Sequence, residues 1–143
     1  AWAGSLAHNG ALSCGRATRG DFSSHKLGHS LSLLFDVPHG ASLSVMMPAW
    51  ARYLCKRHPV PFARLAEAVF DVFDGSEEER AVEGIDLLED FFRSVGAPTT
   101  LRELSVKEVA VERLAANASA RGNFGVLKSL DANDVLEIYK LAY

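Results

Sequence analysis

Apolar residues recur every three or four positions along nearly the whole chain, and no convincing stretch alternates apolar with polar residues. That period commits the chain to helices, each burying one stripe. Turn and cap residues then divide it. Trp2 to Cys14 reads as a first helix, followed by a basic, glycine-bracketed loop from Gly15 to Gly20. Asp21 stands where an N-cap is needed, and Leu27, Leu31 and Leu34 mark one face of a helix over Phe22 to Phe35. Pro38 and Gly40 break the chain before a second apolar helix, Ala41 to Leu54, which Pro48 kinks. A helix over Phe62 to Phe73 follows Pro59 and Pro61, with Leu65, Ala66, Val69, Phe70 and Phe73 on one side. Ser76 and Glu79 form a capping box that opens a helix ending near Val95, stopped by Gly96 and Pro98. Ser105 and Glu108 predict a second box and a helix to about Asn117. Ala118 to Ser129 is irregular, and Asp131 caps a last helix. The expected fold class is all-α, a single-domain bundle of about seven or eight helices over residues 1–143.

A chain of 143 residues can bury a real core without disulfides or metals as staples. Its residues are 48% apolar and 23% charged, the balance of a soluble globular domain. The net charge of -3 argues against a nucleic-acid footprint or a polybasic membrane patch. Apolar runs such as Ala41–Ala51 are too short to span a bilayer, and no signal peptide is visible. Cys14 and Cys55 form no CxxC and read as small buried hydrophobes of a protein in the reducing cytoplasm. The chain lacks an initiator Met and begins in an apolar stretch, Ala1 to Ala7, so a piece of a longer chain is expected.

Chemistry is concentrated in one place. Of five histidines, His25, His29 and His39 fall close together. His25 and His29 project from one helix face, and His39 stands at the mouth of the next helix, able to aim at the same point. Neutral imidazole suits Zn²⁺ or Fe²⁺. Asp21, His25 and His29 make another candidate set on one stripe, although three ligands in a row converge poorly on a tetrahedral metal. Solvated or capping histidines are as compatible with the spacing as a metal site. His8 and His58 read as satisfied or solvated. There is no HExxH, GxSxG, GxGxxG or P-loop, and Cys55 has no orienting partner for a thiol nucleophile. Glu77 to Glu79 read as a helix first turn, and the pairs Leu87-Leu88 and Phe91-Phe92 as core.

The run Gly20-Asp21-Phe22-Ser23-Ser24-His25-Lys26-Leu27-Gly28-His29-Ser30-Leu31, then Asp36-Val37-Pro38-His39-Gly40-Ala41 and Met47-Pro48-Ala49-Trp50, resembles the iron-containing (group III) alcohol dehydrogenases. The likeness is to their butanol dehydrogenase and NADPH-dependent aldehyde reductase branch. The opening Ala1 to Gly10, Asp74 to Arg80 and Val95 to Leu101 share it, so it covers nearly the whole chain.

The resemblance implies the C-terminal helical domain of a dehydroquinate synthase-like fold, whose N-terminal Rossmann-type domain binds NAD(P). It implies a divalent metal, Fe²⁺ or Zn²⁺, held by an Asp and three His. His25 and His39 correspond to the third and fourth ligands. His29 corresponds to a histidine beside substrate and nicotinamide, a proton relay or cofactor-side contact. The other two ligands and the NAD(P) domain are expected upstream of Ala1, so these residues alone are expected to be inactive. The implied reaction is hydride transfer between NAD(P) and a small alcohol or aldehyde, in a cytoplasmic homodimer with no nucleic-acid or membrane partner. The alternatives are a glycerol dehydrogenase or dehydroquinate synthase relative, a stand-alone helical metal-binding or interaction module, and a helical scaffold with incidental histidines.

Overall fold

A computed structural model describes residues 2–11 and 20–143 of the protein. Seven α-helices lie among the described residues: α1 (Trp2–His8), α2 (Ser23–Phe35), α3 (His39–Cys55), α4 (Val60–Phe70), α5 (Glu77–Ser94), α6 (Val111–Ser119) and α7 (Ala132–Leu141). A 3₁₀ turn, Glu108–Ala110, leads into α6, and Phe124 and Leu130 form an isolated antiparallel bridge. The all-α expectation holds. The part of the expected first helix from residue 12 to Cys14 lies outside the described residues, as do residues 15–19 of the basic loop.

The bundle is organised around α3, which packs against α2, α5 and α7, while α4 pairs with α5 and α6 with both α2 and α7. Leu27 and Leu31 of α2, Val45 and Met46 of α3, Ile85 of α5, Leu114 of α6 and Ile138 and Tyr139 of α7 are fully buried between them. Several polar groups inside are bonded across helices, as burial favours. The Tyr139 hydroxyl donates to the Leu27 carbonyl at 2.6 Å, and the Ser30 hydroxyl to Asn117 Oδ1 at 2.9 Å. These two bonds tie α2 to α7 and α6.

Helix ends follow local chemistry in most places. Ser76 and Glu79 cap α5 reciprocally, and Asp131 and Asp134 do the same for α7. α3 runs through Pro48 within one helix. Ser105 does not open a helix. It lies at φ +59, and the capping pattern occurs five residues earlier, between Thr100 and Glu103. There it closes a turn, because Val106 donates back to the Leu101 carbonyl and the chain bends before α6.

Two buried faces differ from expectation. On α4 the buried residues are Phe62, Ala63 and Ala66, while Val69 and Phe73 are exposed. The helix stops at Phe70, where Asp71 takes a left-handed conformation and donates to the Ala66 carbonyl. On α5 the buried residues are Ala81, Gly84, Ile85 and Glu89; Leu87, Leu88 and Phe92 are half-buried and Phe91 is exposed. The inner stripe is small because α4 lies very close: a Cβ on Gly84 would sit 2.5 Å from Ala66 Cβ. Glu89 tolerates burial because Arg52 and Arg93 both pair with it.

Candidate functional site

The site is built where α2 crosses α3. A Cβ on Gly28 would lie 2.7 Å from Ser42 Oγ, so a larger residue would have to displace that hydroxyl or part the helices. Glycine in mid-helix costs stability relative to alanine, and here it answers a packing need. Ser42 is fully buried and donates to the His39 carbonyl at 2.8 Å. This contact lies one turn beyond His25 on α2 and one turn beyond His39 on α3. It draws the start of α3 against the first turns of α2.

His25 Nδ1 and His39 Nε2 consequently lie 3.2 Å apart, with ring centroids separated by 5.1 Å. One ring can donate a proton to the other, or two lone pairs can face one cation. Two imidazoles on one tetrahedral zinc have nitrogens about 3.3 Å apart, from the bond lengths of such sites. The separation of the donor pair is close to that of two imidazoles sharing one divalent metal. Burial, then the neighbouring His39, His29 and His8, lower the His25 pKa, which favours the neutral, ligating imidazole.

His29 is exposed, and its ring centroid is 5.6 Å from that of His39. The three rings do not converge on one point. Among the described residues no group of three or more His, Cys, Asp or Glu is arranged to hold a metal. The arrangement brings together a pair with a neighbour.

Asp21 is not aligned with His25 and His29 as a ligand stripe. One of its oxygens accepts from the Ser23 N–H and the other from the N–H groups of Val126 and Leu127, each at 2.8 Å. Burial raises its pKa, but the bonds from Ser23, Leu127 and Val126 outweigh that and hold it below the ordinary value. Asp21 therefore bends the chain before α2, which starts at Ser23, and clamps the loop after α6 to it.

Phe22, which spacing did not single out, lies against His25 at 5.3 Å between ring centroids, and His8 meets Phe22 at 6.0 Å. Its position immediately before the histidine helix was the only signal. His58 lies in the α3–α4 turn, its N–H bonded to the Leu54 carbonyl. Cys55 is buried, and burial pushes its thiol pKa up, away from the thiolate a nucleophile needs; Cys14 lies outside the described residues.

Beside His29 a groove of about 600 Å³ runs between α2 and the chain following α6. Lys26, His29, Ser30 and Leu33 line one side, and Asn117 and residues from Arg121 to Phe124 the other.

The all-helical domain thus presents a histidine pair across two helices beside an open groove. The chain belongs to the Fe-containing alcohol dehydrogenase family, whose C-terminal domain model matches residues 3–143. The particular likenesses agree. The chain is 39% identical over 141 residues to the probable NADH-dependent butanol dehydrogenase 1 of Bacillus subtilis, covering 97% of this chain and 36% of that protein. It is 34% identical over 146 residues to NADH-dependent butanol dehydrogenase A of Clostridium acetobutylicum, covering 99% and 37%. The crystal structure of NADH-dependent butanol dehydrogenase A from Thermotoga maritima superposes with a TM-score of 0.91 at 33% identity, over 99% of this chain and 37% of that one. The chain thus spans little more than a third of the length of these relatives. No helix among the described residues is long and apolar enough to cross a membrane.

Proposed function

We propose that the chain is the metal-binding half of an NAD(P)-dependent alcohol dehydrogenase or aldehyde reductase acting on small alcohols or aldehydes, with His25 and His39 as metal ligands. The observation that carries this reading is the 3.2 Å separation of His25 Nδ1 and His39 Nε2 across α2 and α3. Membership of the family and the names of the dehydrogenases it resembles support it.

The residues of this chain have distinct tasks in that reaction. His25, partly buried and depressed in pKa, offers a lone pair from one helix. His39 sits at the start of α3 and offers a lone pair from the second helix. The Gly28–Ser42 contact fixes the distance between them. His29, one turn beyond His25 and open to the groove, holds or passes a proton at the substrate oxygen, or contacts the nicotinamide side. A bound Fe²⁺ or Zn²⁺ supplies Lewis acidity toward that oxygen. NAD(P) supplies the hydride chemistry, held mainly by an α/β domain outside these 143 residues. Two further ligands also lie outside them, so the 143 residues alone hold metal weakly and turn nothing over. The intact protein is a homodimer in this reading.

Metal content of the intact protein and its variants tests the assignment. His25→Ala and His39→Ala are each expected to lose most of the bound metal. His29→Ala is expected to keep it and lose turnover. Retention of metal by the first two variants would remove them as ligands, and metal loss in the third would make His29 one. NADPH-dependent aldehyde reduction by the isolated 143 residues would overturn the half-site reading.

A further inference from the structure

The groove beside His29 has a lining of one charge sign. Lys26 and Arg121 contribute cations, and no Asp or Glu occurs among the described residues that line it. Neither cation has an ion-pair partner among the described residues. The ion pairs among the described residues use Arg52, Arg80, Arg93, Lys128 and Lys140 instead. The Lys26 ammonium lies 5.0 Å from the centroid of the Phe124 ring. That contact steadies it at the groove without neutralising it. Asn117 and Asn123 add amides, and Leu33 and Phe124 add apolar surface.

Two uncompensated cations facing one concavity concentrate anions there, even in a chain whose net charge is -3. The planar fork of Arg121 matches a carboxylate or a phosphate through two parallel hydrogen bonds, while Lys26 acts as a point charge. A simple apolar alcohol such as butanol would leave both cations without a partner.

We propose that this groove is an oxyanion subsite: the aldehyde or alcohol carries a carboxylate or phosphate at the end remote from its reacting carbon, held by Arg121 and Lys26. The carbonyl end then lies at His29, and the hydrocarbon stem lies along Leu33 and Phe124. This rests on the reading of the chain as half of a dehydrogenase.

The test uses the intact, metal-loaded protein and three aldehydes: 4-oxobutanoate, glycolaldehyde phosphate and uncharged butanal. At least one anionic aldehyde is expected to exceed butanal in kcat/KM, and whichever does identifies the oxyanion. The ratio of that aldehyde to butanal is expected to fall about tenfold in Arg121→Gln and in Lys26→Gln, and less in Arg121→Lys. Added salt is expected to lower the ratio, because both cations are exposed. Independently of turnover, succinate and inorganic phosphate are titrated while the amide resonances of residues 121–124 are followed by NMR. Those resonances are expected to shift in the wild type and not in Arg121→Gln. A protein that reduces butanal but keeps its ratio within about twofold in both variants overturns the subsite and leaves the dehydrogenase reading standing. Anions that leave the groove resonances unmoved also overturn it. If no aldehyde is reduced, yet anions shift the wild type and not Arg121→Gln, the dehydrogenase reading falls and the anion site stands.

Discussion

Replacing Gly28 by alanine places a methyl carbon 2.7 Å from Ser42 Oγ, well inside van der Waals contact. Two responses are open. Ser42 can rotate away and give up its bond to the His39 carbonyl, or α2 and α3 can part by a few tenths of an ångström. A lost hydrogen bond costs about 1 kcal/mol and an overpacked interface about 1–3 kcal/mol. Alanine returns about 1 kcal/mol of helix propensity. Rotation of Ser42 thus comes out close to neutral, whereas parting of the helices leaves a net loss of up to about 2 kcal/mol, a Tm lower by up to about 5 °C for a domain of this size. Urea unfolding followed by circular dichroism measures it. Ser42→Ala in the Gly28→Ala background removes the obstructing oxygen, so the double variant is expected to be more stable than the two single losses add up to. Metal affinity reads the same contact, since parting the helices separates His25 from His39. Strictly additive variants would refute the reasoning.

Three other substitutions probe the supports of the site and the fold. Gly84→Ala is expected to cost about 3 kcal/mol, more than Gly28→Ala, because its methyl meets the Ala66 Cα at 2.9 Å and backbone cannot rotate away; urea midpoints compare the two, and equal values would contradict this. Asp134 accepts bonds from Lys128, Tyr53 and the Asp131 N–H; burial raises its pKa, but those bonds win and hold it below 3.8. A depressed carboxyl stabilises the fold above its ordinary value and loses that effect as pH falls through the lowered one, so the deficit of Asp134→Asn, about 1–3 kcal/mol at neutral pH, should shrink below about pH 4. A deficit independent of pH would contradict it. The bond to Asp134, then burial, pushes the Tyr53 hydroxyl up to about 12, so its phenolate absorbance should appear at lower pH in the same variant. Asp21→Ala removes the clamp on Val126 and Leu127, and their amides should then exchange faster with solvent while those of α3 do not.

Much of the fold was legible because it depends on local chemistry. The capping box at Ser76, the N-cap at Asp131, the stop at Gly96 and the break at Pro38 use residues within four positions of each other. The Ser105 box misled because the same pattern closes a turn when the chain must bend back, and Leu101 accepts from Val106 there. The buried stripe of α4 was misplaced for a different reason. Apolar residues were available on more than one side, and which side faces inward depends on how close α5 comes through Gly84. The histidine cluster was visible as spacing, and the resemblance assigned His25 and His39 to one metal. The oxyanion groove was not visible, because Lys26 and Arg121 are far apart in sequence and meet only through the packing of α6 on α2.

By itself the sequence determined that the chain is helical, where most helices start and stop, and which histidines stand near one another. These follow from hydrogen bonds and steric limits within one or two turns. The tertiary structure alone decided that Asp21 holds a distant loop, that His25 and His39 meet at 3.2 Å, and that His29 faces a groove lined by cations. Each of those needs two segments brought together by close packing, and the distances that result belong to the interface between helices, not to the period of either one.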